Sequence, residues 1–142
     1  MRWESAYMGT QVAVVAASQD SYKVLDRHGL TSWQAGGCWI LAEALSGLVA
    51  GKLHALVRDG LVDHVLLKVG DAYIDADGAY SGTGIVAKHL ELEGFSARLI
   101  SFSNLSATAV EVMQWLIPRP PSAVRQMKRL LQRQGIGERK RR

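Results

Sequence analysis

Cysteine is nearly absent from this chain of 142 residues, which contains only Cys38. One cysteine cannot form an intramolecular disulfide, and a lone thiol is typical of a reducing compartment. A chain of this length can bury a core without disulfides or a structural metal. We expect a single α+β domain over residues 1–118, followed by a basic C-terminal helix and tail over residues 119–142.

Long apolar runs and a secretory leader are also missing. The most apolar N-terminal stretch, residues 12–17 (VAVVAA), is too short for a signal sequence and lacks the flanking features of one. No run approaches the roughly 20 apolar residues that span a bilayer. We therefore expect a cytoplasmic protein without a membrane partner.

Sequence motifs for metals and cofactors are poor. No cysteine and histidine cluster has zinc spacing. The glycine-rich segment 78–84 lacks the lysine of a phosphate loop, and the alternating carboxylates of segment 70–78 lack the final glutamate of a calcium loop. We expect no metal site and no cofactor.

Acidic residues are scarce at the C-terminal end. Residues 119–142 carry nine lysines and arginines against Glu138 alone, a net charge of +8, whereas residues 1–118 have a net charge of −4. A basic end of this kind can bind nucleic acid, an anionic membrane or an acidic protein. The simpler interpretation is a solvated, partly disordered end, because nothing in it is suited to stack on a base.

Apolar spacing predicts the helices of the chain. One helix, or two, is expected over residues 11–28, and another begins at Cys38 and continues to Val49. The apolar residues at 53, 56 and 57 extend that helix or begin a further turn after Gly51. Further helices are predicted over 84–94, with Thr83 as N-cap and Gly94 as the stop, over 106–116, opened by Ser106, and over 122–134.

The spacing of apolar residues changes from a helical period to a strand period at residues 63–69 (DHVLLKV) and 72–76 (AYIDA). Two such runs around Gly70-Asp71 predict a β-hairpin, and residues 97–102 predict a third strand. Antiparallel strands with segregated helices indicate an α+β fold rather than a parallel α/β sheet.

Cys38 is the candidate nucleophile. It follows Gly36-Gly37 at the point where a loop becomes a helix. Free N–H groups at a helix N-terminus favour negative charge, so a thiol there ionises more easily. The alternative is an inert buried cysteine acting as a small apolar residue.

His64 is the candidate general base. His28, His54 and His89 lie in or at the ends of predicted helices beside polar residues, where a surface position is the simplest interpretation. His64 opens the first hairpin strand, and its alternative role is that of a half-buried residue at a strand edge.

The predicted hairpin places a carboxylate beside His64. If the turn is centred on Gly70-Asp71, Asp77 lies opposite His64 and Asp75 is the diagonal neighbour on the same face. A loop one residue longer or shorter would turn these side chains to opposite faces. Asp75 is the candidate orienting residue and Asp77 its substitute, although an Asp before Gly78 is also an ordinary turn former.

Two residues near Cys38 are candidates for contacting a substrate. The amide of Gln34 and the Cys38 backbone N–H are placed to stabilise an oxyanion. Trp39 is placed to wall a substrate pocket. An ordinary loop glutamine and a core tryptophan are the alternatives.

The pattern resembles the papain-like cysteine hydrolases, in particular small bacterial and phage members. The resemblance rests on Gln34, on residues 36–39 (GGCW), on residues 64–67 (HVLL) and on residues 73–78 (YIDADG). It implies a papain-like core in which N-terminal helices pack on a small antiparallel sheet. It also implies a catalytic triad of Cys38, His64 and Asp75.

The sequence thus predicts a thiol hydrolase that cuts an amide or acyl bond of a peptide or protein. The competing hypothesis is a non-catalytic inhibitor or adaptor that binds nucleic acid or an acidic protein through the basic C-terminal helix.

Overall fold

A computed structural model describes residues 1–137 and shows an α+β fold, as predicted. Within those residues the chain forms six α-helices and five strands. The helices are α1 (Trp3–Ala16), α2 (Gln19–Arg27), α3 (Cys38–Ser46), α4 (Gly82–Glu93), α5 (Ala107–Leu116) and α6 (Pro121–Arg133). The strands are β1 (Lys52–Arg58), β2 (Leu61–Val69), β3 (Ala72–Asp75), β4 (Gly78–Tyr80) and β5 (Arg98–Ser101), and a 3₁₀ turn spans Phe102–Asn104.

The strands form one antiparallel sheet in the order β4-β3-β2-β1-β5. The predicted β2–β3 hairpin is confirmed, including its register, because Leu67 pairs with Ile74 and Val69 with Ala72. Gly70 occupies the left-handed region in the turn, with φ 61°. This register fixes which side chains of β2 and β3 share a face.

The prediction that residues 53–57 extend the Cys38 helix is wrong. These residues belong to β1, which pairs with β2 through a tight turn at Asp59 and Gly60. Both turn residues have positive φ, at 52° and 77°. Asp-Gly is the typical dipeptide of such a hairpin turn, so the signal was present in the sequence.

The N-terminal segment forms two helices, one of the two predicted alternatives, and the first begins at Trp3 instead of residue 11. Ser18 separates them by accepting a hydrogen bond from the Ser21 amide at the start of α2. The N-cap of α4 is Ser81 and not Thr83. Ser106 and Gly94 act as predicted, as the cap of α5 and the stop of α4.

The basic C-terminal helix is part of the main core. Its residues Ala123, Met127 and Leu131 are fully buried, in a cluster that includes residues of α1, α2 and α3. The interpretation of this end as solvated and disordered is therefore wrong for α6. The remaining basic residues of the tail, at 139–142, lie outside the described residues.

The sheet has a helix layer on each face. Val65 and Leu67 of β2 contact the clusters formed with α1 and α3, whereas Leu66 packs with Ile85 of α4. His64 is two residues from Leu66 and therefore points toward α4. Among residues 1–137, no helix combines the length and the apolar character needed to cross a membrane.

Candidate active site

A crowded glycine holds Cys38 at the first position of α3. Gly37 donates its N–H to the Ser32 carbonyl oxygen at 2.8 Å. A Cβ on Gly37 would lie 2.7 Å from the Trp33 ring and 2.8 Å from Leu25, closer than real contacts allow. The loop before α3 can therefore take this path only with glycine at position 37.

The Cys38 sulfur lies at the edge of β2. It accepts a hydrogen bond from the Val65 backbone N–H, with 3.4 Å between nitrogen and sulfur. Pairing between β2 and β3 extends from Val69 only as far as Leu67 and Ile74, because β3 ends at Asp75. The sulfur thus accepts the hydrogen bond that a residue of β3 would otherwise accept from Val65. The residue is only 2 % exposed.

His64 is bound through both ring nitrogens. Nε2 lies 3.0 Å from Oδ2 of Asp75, and Nδ1 lies 3.1 Å from the Gln34 carbonyl oxygen. A carbonyl oxygen and an ionised carboxylate can only accept hydrogen bonds, so both bonds exist together only when both nitrogens carry hydrogen. This geometry holds His64 as the imidazolium cation.

The charged groups around His64 also favour its protonated form. Burial opposes protonation of His64, which is 5 % exposed. The Asp75 carboxylate and the nearby Cys38 side chain, which favours the cation when its sulfur is negatively charged, outweigh burial and raise the pKa of His64 to about 10. The ring therefore lies close to both Cys38 and Asp75, while its Nδ1 hydrogen bond is directed at the Gln34 carbonyl.

Asp75 is buried, and both of its carboxylate oxygens have hydrogen-bond partners. Its Oδ1 accepts the Asp77 backbone N–H at 2.9 Å, and its Oδ2 contacts both His64 and Lys88 Nζ, the latter at 3.2 Å. Burial raises the pKa of this carboxyl, but His64, Lys88 and the Asp77 amide together bring it below the ordinary value. The half-exposed Asp77 side chain contacts Lys88 at 2.8 Å. The structure therefore brings Asp75, and not Asp77, to His64.

A cavity of about 50 Å³ opens beside His64. Its lining includes Gln34 and His89, and each has a buried Nε2 without a hydrogen-bond partner among the described residues. His89 Nε2 lies 3.4 Å from an Asp63 oxygen, but not in hydrogen-bonding geometry. Cys38 does not line this cavity. The remaining lining residues are Leu56, Asp63, His64, Asp75, Ile85, Lys88, Leu92 and Glu93.

The placement of His89 corrects the sequence analysis, which assigned it to the surface. Its side chain is only 10 % exposed. Lys88, which contacts Asp75, was also missed. Both residues share a helical face with Ile85 and Leu92, and the i, i+3, i+4, i+7 spacing of these four residues was the available signal.

Trp39 lies in the core and does not line the cavity. Its ring packs edge-on against Phe102, and its Nε1 donates to Glu43 at 3.3 Å. The Arg119 guanidinium lies 4.7 Å from the ring centre and binds the same Glu43. Trp39 therefore fixes α3 against the region before α6, and the structure does not bring it to the cavity beside His64.

The residues 1–137 contain no group of three or more histidine, cysteine, aspartate or glutamate side chains placed to hold a metal ion. The structure thus places Cys38 and the Asp75 carboxylate close to the His64 ring. A cysteine, a histidine and a carboxylate are together able to support acyl transfer through a thioester. No family model matches the chain, and neither the search of curated proteins nor the search of solved structures found a match.

Proposed function

We propose that the protein is a papain-like thiol hydrolase that cuts an amide or acyl bond of a peptide or protein substrate. Cys38 is the nucleophile, His64 the general acid and base, and Asp75 the residue that orients His64. One observation carries the proposal: the His64 ring is hydrogen-bonded to Asp75 at 3.0 Å, and the Cys38 sulfur accepts the backbone N–H of Val65, the residue next to His64.

The reaction proceeds through a thioester. The Cys38 thiolate attacks the substrate carbonyl carbon, and the carbonyl oxygen takes the negative charge. The tetrahedral adduct collapses as His64 gives its Nδ1 proton to the leaving amine. Water, deprotonated by His64, then attacks the thioester and releases the acid, returning the Cys38 thiolate and the His64 imidazolium to their starting state.

Gln34 supports the oxyanion. Its Nε2 is buried without a partner among the described residues, a costly state for an amide that a substrate oxygen would relieve. The Cys38 backbone N–H is a second donor, since the first amides of a helix have no intrahelical acceptor.

The proposed reaction requires the segment 32–37 to move. The thiol is covered, and the Gln34 carbonyl occupies the Nδ1 hydrogen that must reach the leaving group. Displacing the Gln34 carbonyl frees Nδ1 for the leaving group. Substrate binding therefore includes an opening of the loop before α3.

The pH profile of Cys38 alkylation tests the proposal. If Cys38 and His64 form an ion pair, the iodoacetamide labelling rate of the wild type is nearly constant between pH 6 and 8, whatever the rate of loop opening. In His64→Ala the rate rises with pH as for a free thiol. Mass spectrometry gives the extent of labelling, with Cys38→Ala as the blank. A wild-type rate that follows the free-thiol profile would contradict the ion pair.

Hydrolysis of a peptide library supplies the second test. We expect turnover to be lost in Cys38→Ala and His64→Ala and kept in Asp77→Ala, because the Asp77 side chain does not touch His64. Retained turnover in Cys38→Ala would refute the assignment of the nucleophile.

A non-catalytic binding protein is the second candidate, favoured by the covered thiol and the exposed arginines of α6. Deleting residues 119–142 does not separate the two functions, because Ala123, Met127 and Leu131 belong to the core. Charge substitutions on the exposed side of α6 separate them without removing core residues.

A further inference from the structure

A groove of about 230 Å³ runs between α2 and α6, away from His64. It has room for a small ligand group. Its walls are formed by Asp20, Lys23, Val24 and Arg27 from α2 and by Gln126, Arg129, Leu130 and Arg133 from α6.

The groove is strongly cationic. Lys23, Arg27, Arg129 and Arg133 line it against the single carboxylate of Asp20. Asp20 lies 3.8 Å from Lys23, and in the described part of the chain no carboxylate lies within ion-pair distance of the three arginines. Their guanidinium donors are therefore available to a ligand.

Gln126 adds a second, independent sign of a ligand. Gln126 lines the same groove, and its buried Oε1 has no hydrogen-bond partner among the described residues. Buried polar atoms are nearly always hydrogen-bonded, so this oxygen requires a donor that the described residues do not supply. A hydroxyl or protonated group on a bound anion would fill that role.

We propose that the α2–α6 groove binds the phosphate group of a phosphate ester. Arginine presents planar, forked donors that match phosphate oxygens, and three such forks converge here from two helices. No aromatic side chain lines the groove, so recognition rests on phosphate and not on stacking with a base. The phosphate comes either from a small soluble compound or from a nucleic-acid backbone. The site does not depend on the proposed hydrolase.

Calorimetry with inorganic pyrophosphate and anisotropy with a labelled single-stranded oligothymidylate distinguish the two sources. Arg129→Glu is the test variant. Arg98→Glu is the matched control, because Arg98 is exposed on β5 and carries the same change of charge. We expect Arg129→Glu to weaken binding by roughly tenfold or more, the cost of losing a charged hydrogen bond, and Arg98→Glu by less than about twofold.

Binding of pyrophosphate that is lost in Arg129→Glu supports a small phosphate ligand, and oligonucleotide binding lost in the same way supports a nucleic-acid backbone. Circular dichroism checks the fold, and Arg27→Gln on the opposite wall replaces Arg129→Glu if that variant unfolds. Absence of binding to both probes, or equal loss in Arg98→Glu, would overturn the proposal.

Discussion

The charged residues around His64 and those of the α2–α6 groove are arranged in opposite ways. His64 and Asp75 are almost fully buried, and Lys88 is mostly so, yet Asp75 lies within 3.2 Å of both cations. In the groove, Arg129 and Arg133 are exposed, and the described chain offers them no carboxylate within reach.

The difference follows from the energetics of solvation. A buried charge loses its water shell, and only a well-placed partner offsets that loss. Exposed arginines keep their water and need no partner, so their donors stay free. The paired charges around His64 fix one protonation state, whereas the arginines of the groove remain able to bind a ligand. Removing a charge of the buried network should therefore destabilise the protein, whereas removing an unpaired arginine of the groove should stabilise it.

The largest effect is expected from Asp75→Ala. The substitution leaves His64 and Lys88 buried with their main counter-charge gone, and we expect the free energy of unfolding to fall by about 3–5 kcal/mol. Urea denaturation measures it. The control is Asp77→Ala, whose half-exposed ion pair with Lys88 is worth below about 1 kcal/mol. Equal losses in the two variants would show that the network around Asp75 is not the stabilising element.

The next effect is a dependence of stability on pH. The pKa of His64 is raised in the folded protein, so its contribution is complete below the unfolded value of 6.5 and is lost as the pH rises toward the folded value of about 10. We expect a slope of up to about 1.4 kcal/mol per pH unit within that window.

The pH dependence of stability is measured in the Cys38→Ala variant, which contains no thiol. The upper end of the window then falls below about 10, because the contribution of Cys38 to the raised pKa is lost. His64→Gln in the same background removes the slope. A slope that persists in that double variant would assign the pH dependence to another group.

Two lysines provide a direct comparison of the regions. Lys88 contacts Asp75 and Asp77, and its removal in Lys88→Ala should cost about 1.5 kcal/mol. Lys23 pairs with Asp20 on the exposed face of α2, and Lys23→Ala should cost no more than about 0.5 kcal/mol. Thermal unfolding of both variants checks the difference, and a larger loss in Lys23→Ala would reverse our interpretation of the groove.

The smallest effect has the opposite sign. Arg129 and Arg133 are one helical turn apart with like charge, so Arg129→Ala should stabilise the protein by about 0.2–0.5 kcal/mol at low salt. The gain should vanish at 1 M salt, where the Debye length is about 3 Å. A loss of stability would mean that Arg129 has a partner in the folded chain.

The sequence was sufficient for the parts of the site that depend on short-range geometry. The period-two pattern on either side of Gly70-Asp71 set the hairpin register, and the register set Asp75 next to His64. The glycines before Cys38 likewise indicated the start of α3. Both inferences needed only local backbone rules.

The rest depended on packing between distant segments. Residues 53–57 fit a helical pattern as well as a strand, and pairing with β2 and β5 decided the outcome. The hydrogen bond between the Gln34 carbonyl and His64 depends on how the loop before α3 docks. The groove depends on how α2 and α6 pack together. One-dimensional spacing contains no information on such docking, which is why the contact of Gln34 with His64 and the groove appeared only in the structure.

The hydrogen bond from the Val65 amide to the Cys38 sulfur allows NMR to follow the chemical state of Cys38. A main-chain proton directed at sulfur shifts its NMR resonance when the electron density on that sulfur changes. Ionisation, oxidation or acylation of Cys38 is therefore readable from one backbone signal, in the intact molecule and before any substrate is known.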